Sequence, residues 1–306
     1  MEKEQHKHKH KHKHRKNKGK IIKIILIVVL VAILSVGIIV YGVYRNIEKT
    51  YTNSYVPVST PSKHVEISNV NSLSILVLET KTVNNKQENL ATAIAVMNKK
   101  SKKMDLLNIP VGAQLPKTQK LATSFDKGGV SSVMADTQTL LDIPVSNYLQ
   151  VDIGTIGQTV EAVDGITVDN PVAFSQSTYQ FAKGNILLSN AKQVEAYLSG
   201  TPELTDDSAS NRVLKVSLGI YKKIKSSISI NSVSNLSYYQ NVYNSLIDSV
   251  KTNISFSDLQ KIALDYNEAF LNSTKINFTP VKTDGKVAIK QNDVENIRQK
   301  LALILN

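Results

Sequence analysis

Short apolar runs alternate with helical repeats along the chain from residue 73 onward. Three early runs have the length of buried strands, and Pro110 ends the last of them: Leu73–Leu78, Ala91–Met97 and Met104–Ile109. The polar, lysine-rich residues 98–103 separate the second run from the third, and this spacing predicts a hairpin. Four later runs predict further strands: Val145–Ile153, Ile166–Val172, Lys275–Val281 and Lys286–Ile289.

Apolar residues at helical spacing predict several amphipathic helices between and after these strands. One follows Gly128–Gly129 and ends before Pro144, and another is capped by Ser189 or Asn190 and stopped by Gly200. The remaining helices are Arg212–Ile228, Leu236–Val250, one with a capping box of Ser257 and Gln260, and one started by Asn292 with Glu295.

Strands interleaved with helices, including a hairpin, predict an α/β fold. Its sheet is expected to be mixed and flanked by helices on both faces. About 230 residues follow Leu73, which is enough for one large core. The predicted domain therefore covers residues 73–306.

The stretch Ile24–Val43 is apolar throughout and carries no charge. A helix of this length would be about 30 Å long, the thickness of the hydrocarbon core of a bilayer. A buried core helix is usually shorter and amphipathic, and a signal peptide has a shorter apolar region before its cleavage site. We therefore expect one retained transmembrane helix, followed by an extracytoplasmic stalk over residues 44–72.

The basic charge of the chain is concentrated before this span. Residues 1–23 hold nine lysines and Arg15 against Glu2 and Glu4, a net +8 of the whole chain's +12. Lysines and arginines on one flank of a first span keep that flank in the cytoplasm, so the main domain is expected outside the cell membrane. The main domain is nearly neutral, which argues against a nucleic-acid partner.

His and Lys alternate from His6 to His14. One interpretation is a solvated tail that fixes topology and attracts anionic lipids. The other is a metal-binding or pH-sensing tract, although the interleaved lysines repel a divalent cation.

Several chemistries are excluded by residue usage. The chain has no cysteine, and its only histidine after residue 23 is His64. Catalysis by a cysteine nucleophile or by a histidine of the folded domain is therefore excluded, and no P-loop is present. An exported domain without disulfides depends on its core alone.

Six phrases mark the chain between Leu73 and Asn306. They are SILVLET at Ser74–Thr80, LLNIP at Leu106–Pro110, KLATSFDKGG at Lys120–Gly129, EAVDGITVDNPVAF at Glu161–Phe174, KGNILLSNAKQVEAYL at Lys183–Leu198 and VKTNISFSDL at Val250–Leu259. In this order they resemble the LytR–CpsA–Psr family, membrane-anchored extracytoplasmic proteins of Gram-positive bacteria.

The resemblance implies a sheet with helices on both sides and a long apolar pocket for a lipid carrier. The implied activity is transfer of a glycopolymer from undecaprenyl pyrophosphate onto peptidoglycan, with Mg²⁺ or Mn²⁺ expected in active members. The implied partners are the membrane, a polyprenyl-phosphate-linked glycan or lipid, and peptidoglycan.

The charged positions of the family are substituted in this chain. Lys81 stands where the family has an Asp after its first strand, and residues 89–92 read Asn-Leu-Ala-Thr where the family has Arg-Ser-Asp-Thr. Val111 and Gly112 replace an Arg-Asp pair, and Ser199 replaces an Arg. Because phosphoryl transfer requires charges that stabilise the phosphate oxygens, these substitutions predict lost or weakened catalysis.

What survives is one late segment. Arg212 and Lys215 have the spacing of the family's Arg-x-x-Arg and are candidate phosphate-binding residues; the alternative is a solvated pair offset by Asp207. Asp206 and Asp207 are weak candidates because acidic turns are common, and Lys81 is a weak candidate as a loop cation. The sequence assigns no catalytic residue and no metal ligand.

Glu79 is the one carboxylate at the end of the first predicted strand. Without a second carboxylate nearby, the sequence does not make it a ligand.

Two functions follow from these observations. The first is a wall-polymer ligase of this family with altered catalysis. The second is a non-catalytic scaffold or regulator that binds polyprenyl phosphate and modulates active paralogues or an envelope stress response.

The charge asymmetry around Ile24–Val43 makes a prediction about topology. Protease added outside intact cells should digest residues after about 45 and spare the basic head, because the positive flank stays inside. Peptide mapping of the protected fragment checks this. Protection of the large domain would reverse the orientation.

Overall fold

The computed structural model describes residue 48, residues 51–63, 66–200, eight positions between 212 and 226, and residues 236–266, 268–269, 272–278, 281–283 and 286–306. The basic head and the predicted span, residues 1–43, lie outside the described residues and remain predictions. Within the part of the chain that is described, none of the helices has the length and hydropathy needed to cross a membrane.

The described strands are β1 (Ser72–Val83), β2 (Lys86–Asn98), β3 (Lys103–Ile109), β4 (Asn147–Asp152), β5 (Ile166–Asn170), β6 (Phe174–Gln176), β7 (Tyr179–Phe181), β8 (Gly184–Leu188), β9 (Val250–Thr252), β10 (Ser273–Asn277), β11 (Val281–Thr283) and β12 (Lys286–Ala288). The α-helices described from end to end are α1 (Leu121–Leu141), α2 (Ile156–Ala162), α3 (Ala191–Ser199), α4 (Leu236–Ser249), α5 (Phe256–Asp265) and α6 (Gln291–Leu305). Described positions between 212 and 226, among them Arg212 and Lys215, are also helical.

Six strands form a mixed sheet in the order β10-β3-β2-β1-β4-β9. β1 pairs antiparallel with β2 and parallel with β4, while β3 pairs antiparallel with β2 and parallel with β10. The predicted mixed sheet and the predicted β2–β3 hairpin are therefore confirmed. The strands β5–β8 and β6–β7 form two small antiparallel pairs, of which only β5 was predicted.

A second hairpin, between β1 and β2, was not predicted. It turns through Asn84 and Asn85, whose φ angles are 50° and 62°. Two successive positive φ angles are the mark of a type I′ turn, and asparagine tolerates them better than most residues. The Asn-Asn pair was the signal that sequence analysis did not use.

Helices cover both faces of the sheet because alternate residues of its central strand are apolar on both sides. On β1, Ile75 and Val77 belong to a core that includes residues of α2, α3, α4 and α5, and we call this side the α3 face. Leu76 and Leu78 belong to a core with residues of α1 and α6, which we call the α1 face. Each of the four is at most 8% exposed, so each contributes about 1.5–3 kcal/mol through burial.

The double glycine lies inside α1. The sequence analysis had placed it before the helix, and that prediction was wrong. Gly128 (φ −146°, ψ 19°) and Gly129 (φ 59°, ψ −147°) leave the helical conformation and kink the helix between Leu121 and Leu141. Only glycine adopts such a conformation easily, so the pair permits a bend that other residues would resist.

The predicted helix boundaries were partly right. Asn190 caps α3 as expected, since its side chain accepts a hydrogen bond from the Gln193 N–H at 2.9 Å. The capping box of α5 is different: Ser255 accepts from the Asp258 N–H, so the predicted Ser257–Gln260 box was wrong by two residues. The last helix starts at Gln291, one residue before the predicted Asn292.

Part of the predicted stalk lies against the domain at the β9 edge of the sheet. The Val56 N–H donates to the Thr252 carbonyl at 2.7 Å, and the Thr252 N–H donates to the Ser54 carbonyl at 2.8 Å. The Tyr51 hydroxyl, in a side chain 2% exposed, donates to the Ile254 carbonyl at 2.9 Å. Residues 51–56 thus cover the edge of β9.

The Tyr51 contact gives a prediction about stability. Tyr51→Phe should lower the free energy of unfolding by about 1–2 kcal/mol, because the buried Ile254 carbonyl loses its donor. Urea unfolding of the purified protein measures this. The control is Tyr55→Phe, which removes the hydroxyl of a ring that is 43% exposed and should change stability by less than about 0.5 kcal/mol. Equal stability of both variants and the wild type would contradict the docking of this segment.

Candidate functional site

The substituted positions at the ends of β1 and β2 lie on different faces of the sheet. Glu79 pairs with Ala91 and Thr80 pairs with Asn89, so Leu90 is an extra residue that forms a β-bulge. By strand alternation, Glu79 and Lys81 follow Val77 on the α3 face, while Thr80 follows Leu78 on the α1 face. Bulges often lie beside functional sites because they redirect neighbouring side chains.

On the α1 face, Asn89 stands in the family's Arg position and belongs to a set of neutral groups. The Asn89 amide donates to the Thr92 hydroxyl at 2.8 Å, and both side chains are buried. The Gln150 side-chain amide of β4 donates to the Thr80 hydroxyl at 3.1 Å and to the side-chain oxygen of the exposed Gln87 at 3.2 Å. These polar groups satisfy one another without any charge.

The residues after β3 also contribute no charge. Val111 and Gly112 follow Pro110, and the Val111 carbonyl accepts a hydrogen bond from the Ala122 N–H at 3.0 Å at the start of α1. Val111 is partly buried against the core of the α1 face. Val111 therefore stabilises the start of α1 through its backbone carbonyl.

On the α3 face, Lys81 lies in β1. The sequence analysis had expected it in a loop, and that prediction was wrong. The Lys81 ammonium forms an ion pair with Glu195 of α3 at 3.5 Å. The Lys81 side chain is 21% exposed and that of Glu195 is 54% exposed, so the pair joins the end of β1 to α3 at the edge of solvent. Both remain accessible to a ligand.

Arg212 contacts the C-terminal end of α3, the helix that also carries Glu195. It is 2% exposed, and its guanidinium donates to the carbonyl of Gly200, the C-cap of α3. The guanidinium carbon lies 5.3 Å from the centre of the Phe174 ring and 6.0 Å from that of Tyr197. A cation suits this place, because a helix C-terminus carries partial negative charge and aromatic faces attract cations.

The remaining predicted candidates are placed as follows. Lys215 is helical and partly buried, three residues after Arg212. Asp206 and Asp207 lie outside the described residues. Ser199, in the family's Arg position, is exposed and donates to the Glu195 carbonyl of its own helix at 2.8 Å. The phosphate-binding role of Arg212, Lys215 and Lys81 stays a prediction.

Glu79 is the second carboxylate of the α3 face in this region. It is partly buried, and burial raises the pKa of its carboxyl from 4.5 to about 8. Its side chain forms no hydrogen bond or ion pair with the described residues. At neutral pH this group is therefore mostly the neutral acid.

These residues do not fit a bound Mg²⁺ or Mn²⁺. Both metals prefer several oxygen ligands including ionised carboxylates. Here Ala91 has a methyl group, Lys81 is a cation, Glu195 is paired with Lys81, and Glu79 is mainly protonated. Among the residues that the structure describes, no group of three acidic or histidine side chains could hold a metal.

The site that emerges is the last turn of α3 over the end of β1. Sequence analysis found Lys81, Arg212 and Glu79 but could not place them around α3. It missed the aromatic contacts of Arg212 with Phe174 and Tyr197. It also missed the Gln150 amide, although a glutamine within the apolar strand β4 was a visible signal.

Comparison with known proteins gives a consistent result. The LytR_cpsA_psr family model matches residues 40–303. The polyisoprenyl-teichoic acid–peptidoglycan teichoic acid transferase TagU of Enterococcus faecalis is 29% identical over 280 residues, which cover 86% of this chain and 90% of that protein.

Solved structures share the fold. The protein gbs0355 of Streptococcus agalactiae matches with a TM-score of 0.61 and 20% identity, covering 80% of this chain and 91% of that one. A structure of TagT bound to LI-WTA matches with a TM-score of 0.56 and 18% identity, covering 81% of this chain and 99% of that one. With the family model matched over most of its length, the chain belongs to the LytR–CpsA–Psr family.

Proposed function

We propose that this chain is a membrane-anchored, extracytoplasmic protein of surface glycopolymer assembly. It binds a polyprenyl-phosphate-linked glycan next to peptidoglycan and has lost most of the catalytic power to transfer it. The pathway is supported by the E. faecalis relative, which is named a teichoic acid transferase and of which this chain covers 90%. Anchoring rests on the uncharged stretch Ile24–Val43 and its basic flank.

The proposed loss of catalysis is supported mainly by the residues at positions 81, 91 and 199, where the family has charged residues near the end of β1 and α3. Position 91 is an alanine, position 81 is a lysine already paired with Glu195, and position 199 is a serine bonded within its helix. Phosphoryl transfer depends on preorganised charges aimed at the phosphate oxygens, and removal of one such group typically costs about 10²–10³ in rate. Several are substituted here, and their effects need not add.

Binding does not require the missing carboxylates. Lys81 and Lys215 are partly exposed cations that can attract a phosphate, whereas Arg212 is bonded to the Gly200 carbonyl and mainly holds the site together. The apolar pocket for the lipid, implied by the family, needs no charged residue, and its presence remains a prediction.

The proposal predicts binding without turnover. The purified full-length protein should bind geranylgeranyl pyrophosphate, used as a short polyprenyl pyrophosphate. With Mg²⁺ or Mn²⁺ it should release phosphate at least about 10²-fold more slowly than the E. faecalis relative assayed in parallel. Calorimetry and phosphate release measure the two quantities.

Two variants sharpen this experiment. Lys215→Ala should weaken probe binding about threefold to tenfold by removing one cation. Arg212→Ala should lower the unfolding midpoint as well, because it leaves the end of α3 without its donor. Metal-dependent turnover close to that of the relative, abolished in Arg212→Ala, would refute the loss of catalysis.

A further inference from the structure

Glu79 differs from the other partly or fully buried polar side chains at this end of the sheet. Each of its polar neighbours bonds to another group of the protein: Thr80, Lys81, Asn89, Thr92 and Gln150. The Glu79 carboxyl has no such partner among the described residues. The Glu79 side chain is partly exposed, so a ligand can reach this unpartnered carboxyl.

The strand neighbours of Glu79 offer its carboxyl no partner. Its neighbour across the antiparallel ladder is Ala91, and its neighbour on the parallel side is Val151. Neither side chain can form a hydrogen bond with a carboxyl. The bulge at Leu90 lies directly beside this pair.

No nearby charge explains the raised pKa of Glu79. The charged residues on the elements around it are Lys81 on β1, Lys86 and Glu88 on β2, Asp152 on β4, Glu161 on α2, and Lys192 and Glu195 on α3. Lys81 and Glu195 form an ion pair, Asp152 accepts from the Gly154 N–H, and Glu161 accepts from the Ala191 N–H. Burial is the only cause of the raised pKa of Glu79.

We propose that Glu79 in its acid form is a phosphate-binding group, whose O–H donates a hydrogen bond to a phosphate oxygen of the polyprenyl-linked ligand beside Lys81. This inference rests on the proposed function and assigns one residue of its site. A hydrogen bond from a carboxylic acid to an anionic oxygen is short and strong. It lets the site grip a phosphate with an uncharged donor in a place where the carboxylate form would repel it.

The inference fixes how binding depends on pH. Below about 8 the carboxyl holds its proton and can donate; above about 8 it becomes a carboxylate and opposes the ligand. Affinity should therefore fall as the pH rises through about 8. The ligand-free protein should respond in the same window, because the folded-state pKa lies above the unfolded value of 4.5. Its stability should decrease as the pH rises from 4.5 towards about 8, and then level off.

The test measures binding of geranylgeranyl pyrophosphate to the full-length protein in nanodiscs at about pH 7 and about pH 9.5. Wild-type affinity should fall about tenfold or more between the two. Glu79→Gln keeps an N–H donor without a titrating proton, so it should bind within about threefold of wild type at pH 7 and lose the pH dependence. Glu79→Ala should bind more weakly at pH 7.

The matched control is Glu88→Gln on the neighbouring strand. Glu88 is exposed, so its variant should keep both the affinity and the pH dependence of wild type. The comparison of Glu79→Gln with wild type also removes any contribution from titration of the probe. A wild-type pH dependence that persists in Glu79→Gln would overturn the inference.

Thermal unfolding of the ligand-free proteins separates the claim that Glu79 is a protonated acid from the claim that it binds phosphate. Relative to Glu79→Gln, the wild type should lose stability between about pH 4.5 and about pH 8. If it does, but Glu79→Ala binds the probe as well as wild type, Glu79 is a buried acid and not a binding group, and only the inference fails. If wild type binds no probe at either pH, both the inference and the proposed function fail.

Discussion

The candidate site depends on how α3 is held over the end of β1. Its apolar residues share a core with those of β1, and two polar contacts of different strength fix its last turns. The Lys81–Glu195 pair is partly exposed and contributes at most about 1 kcal/mol. The buried Arg212 guanidinium, bonded to the Gly200 carbonyl and lying 5.3 Å from the Phe174 ring, contributes about 1.5–3 kcal/mol through its charged hydrogen bond alone. The cation that the family resemblance assigns to phosphate thus also serves as the cross-link of this region.

The substitutions around the site form a consistent set. A buried charge that loses its partner costs about 3–5 kcal/mol, so removal of one member of a charged group favours removal of the others. The α1 face shows the outcome: Asn89, in the family's Arg position, is neutral and bonds to the hydroxyl of Thr92. On the α3 face, Ala91 stands opposite Glu79, which avoids an unpaired charge by remaining mostly protonated at neutral pH.

Much of the fold follows from the sequence because strand and helix periods reflect which faces are buried. The runs within β1, β2 and β3 and the cap at Asn190 were predicted in this way. The bend at Gly128–Gly129 was misplaced because a local pattern cannot show that a helix continues past a glycine. The site was harder: Arg212 reaches α3 only through tertiary packing, and the raised pKa of Glu79 arises from burial, which no local pattern reveals.

The central claim is that the described residues at the end of β1 beneath α3 do not bring together the several ionised carboxylates that a divalent cation needs. Electron paramagnetic resonance of Mn²⁺ at neutral pH tests it directly, because bound Mn²⁺ loses the sharp signal of the free ion. The titrated protein is the full-length chain with the five histidines of the His6–His14 tract replaced by alanine, so that the tail cannot bind the metal. The account predicts that the signal persists at protein concentrations up to about 0.1 mM, apart from weak loss that salt abolishes. Salt-resistant loss of the signal with one Mn²⁺ bound per chain would contradict it.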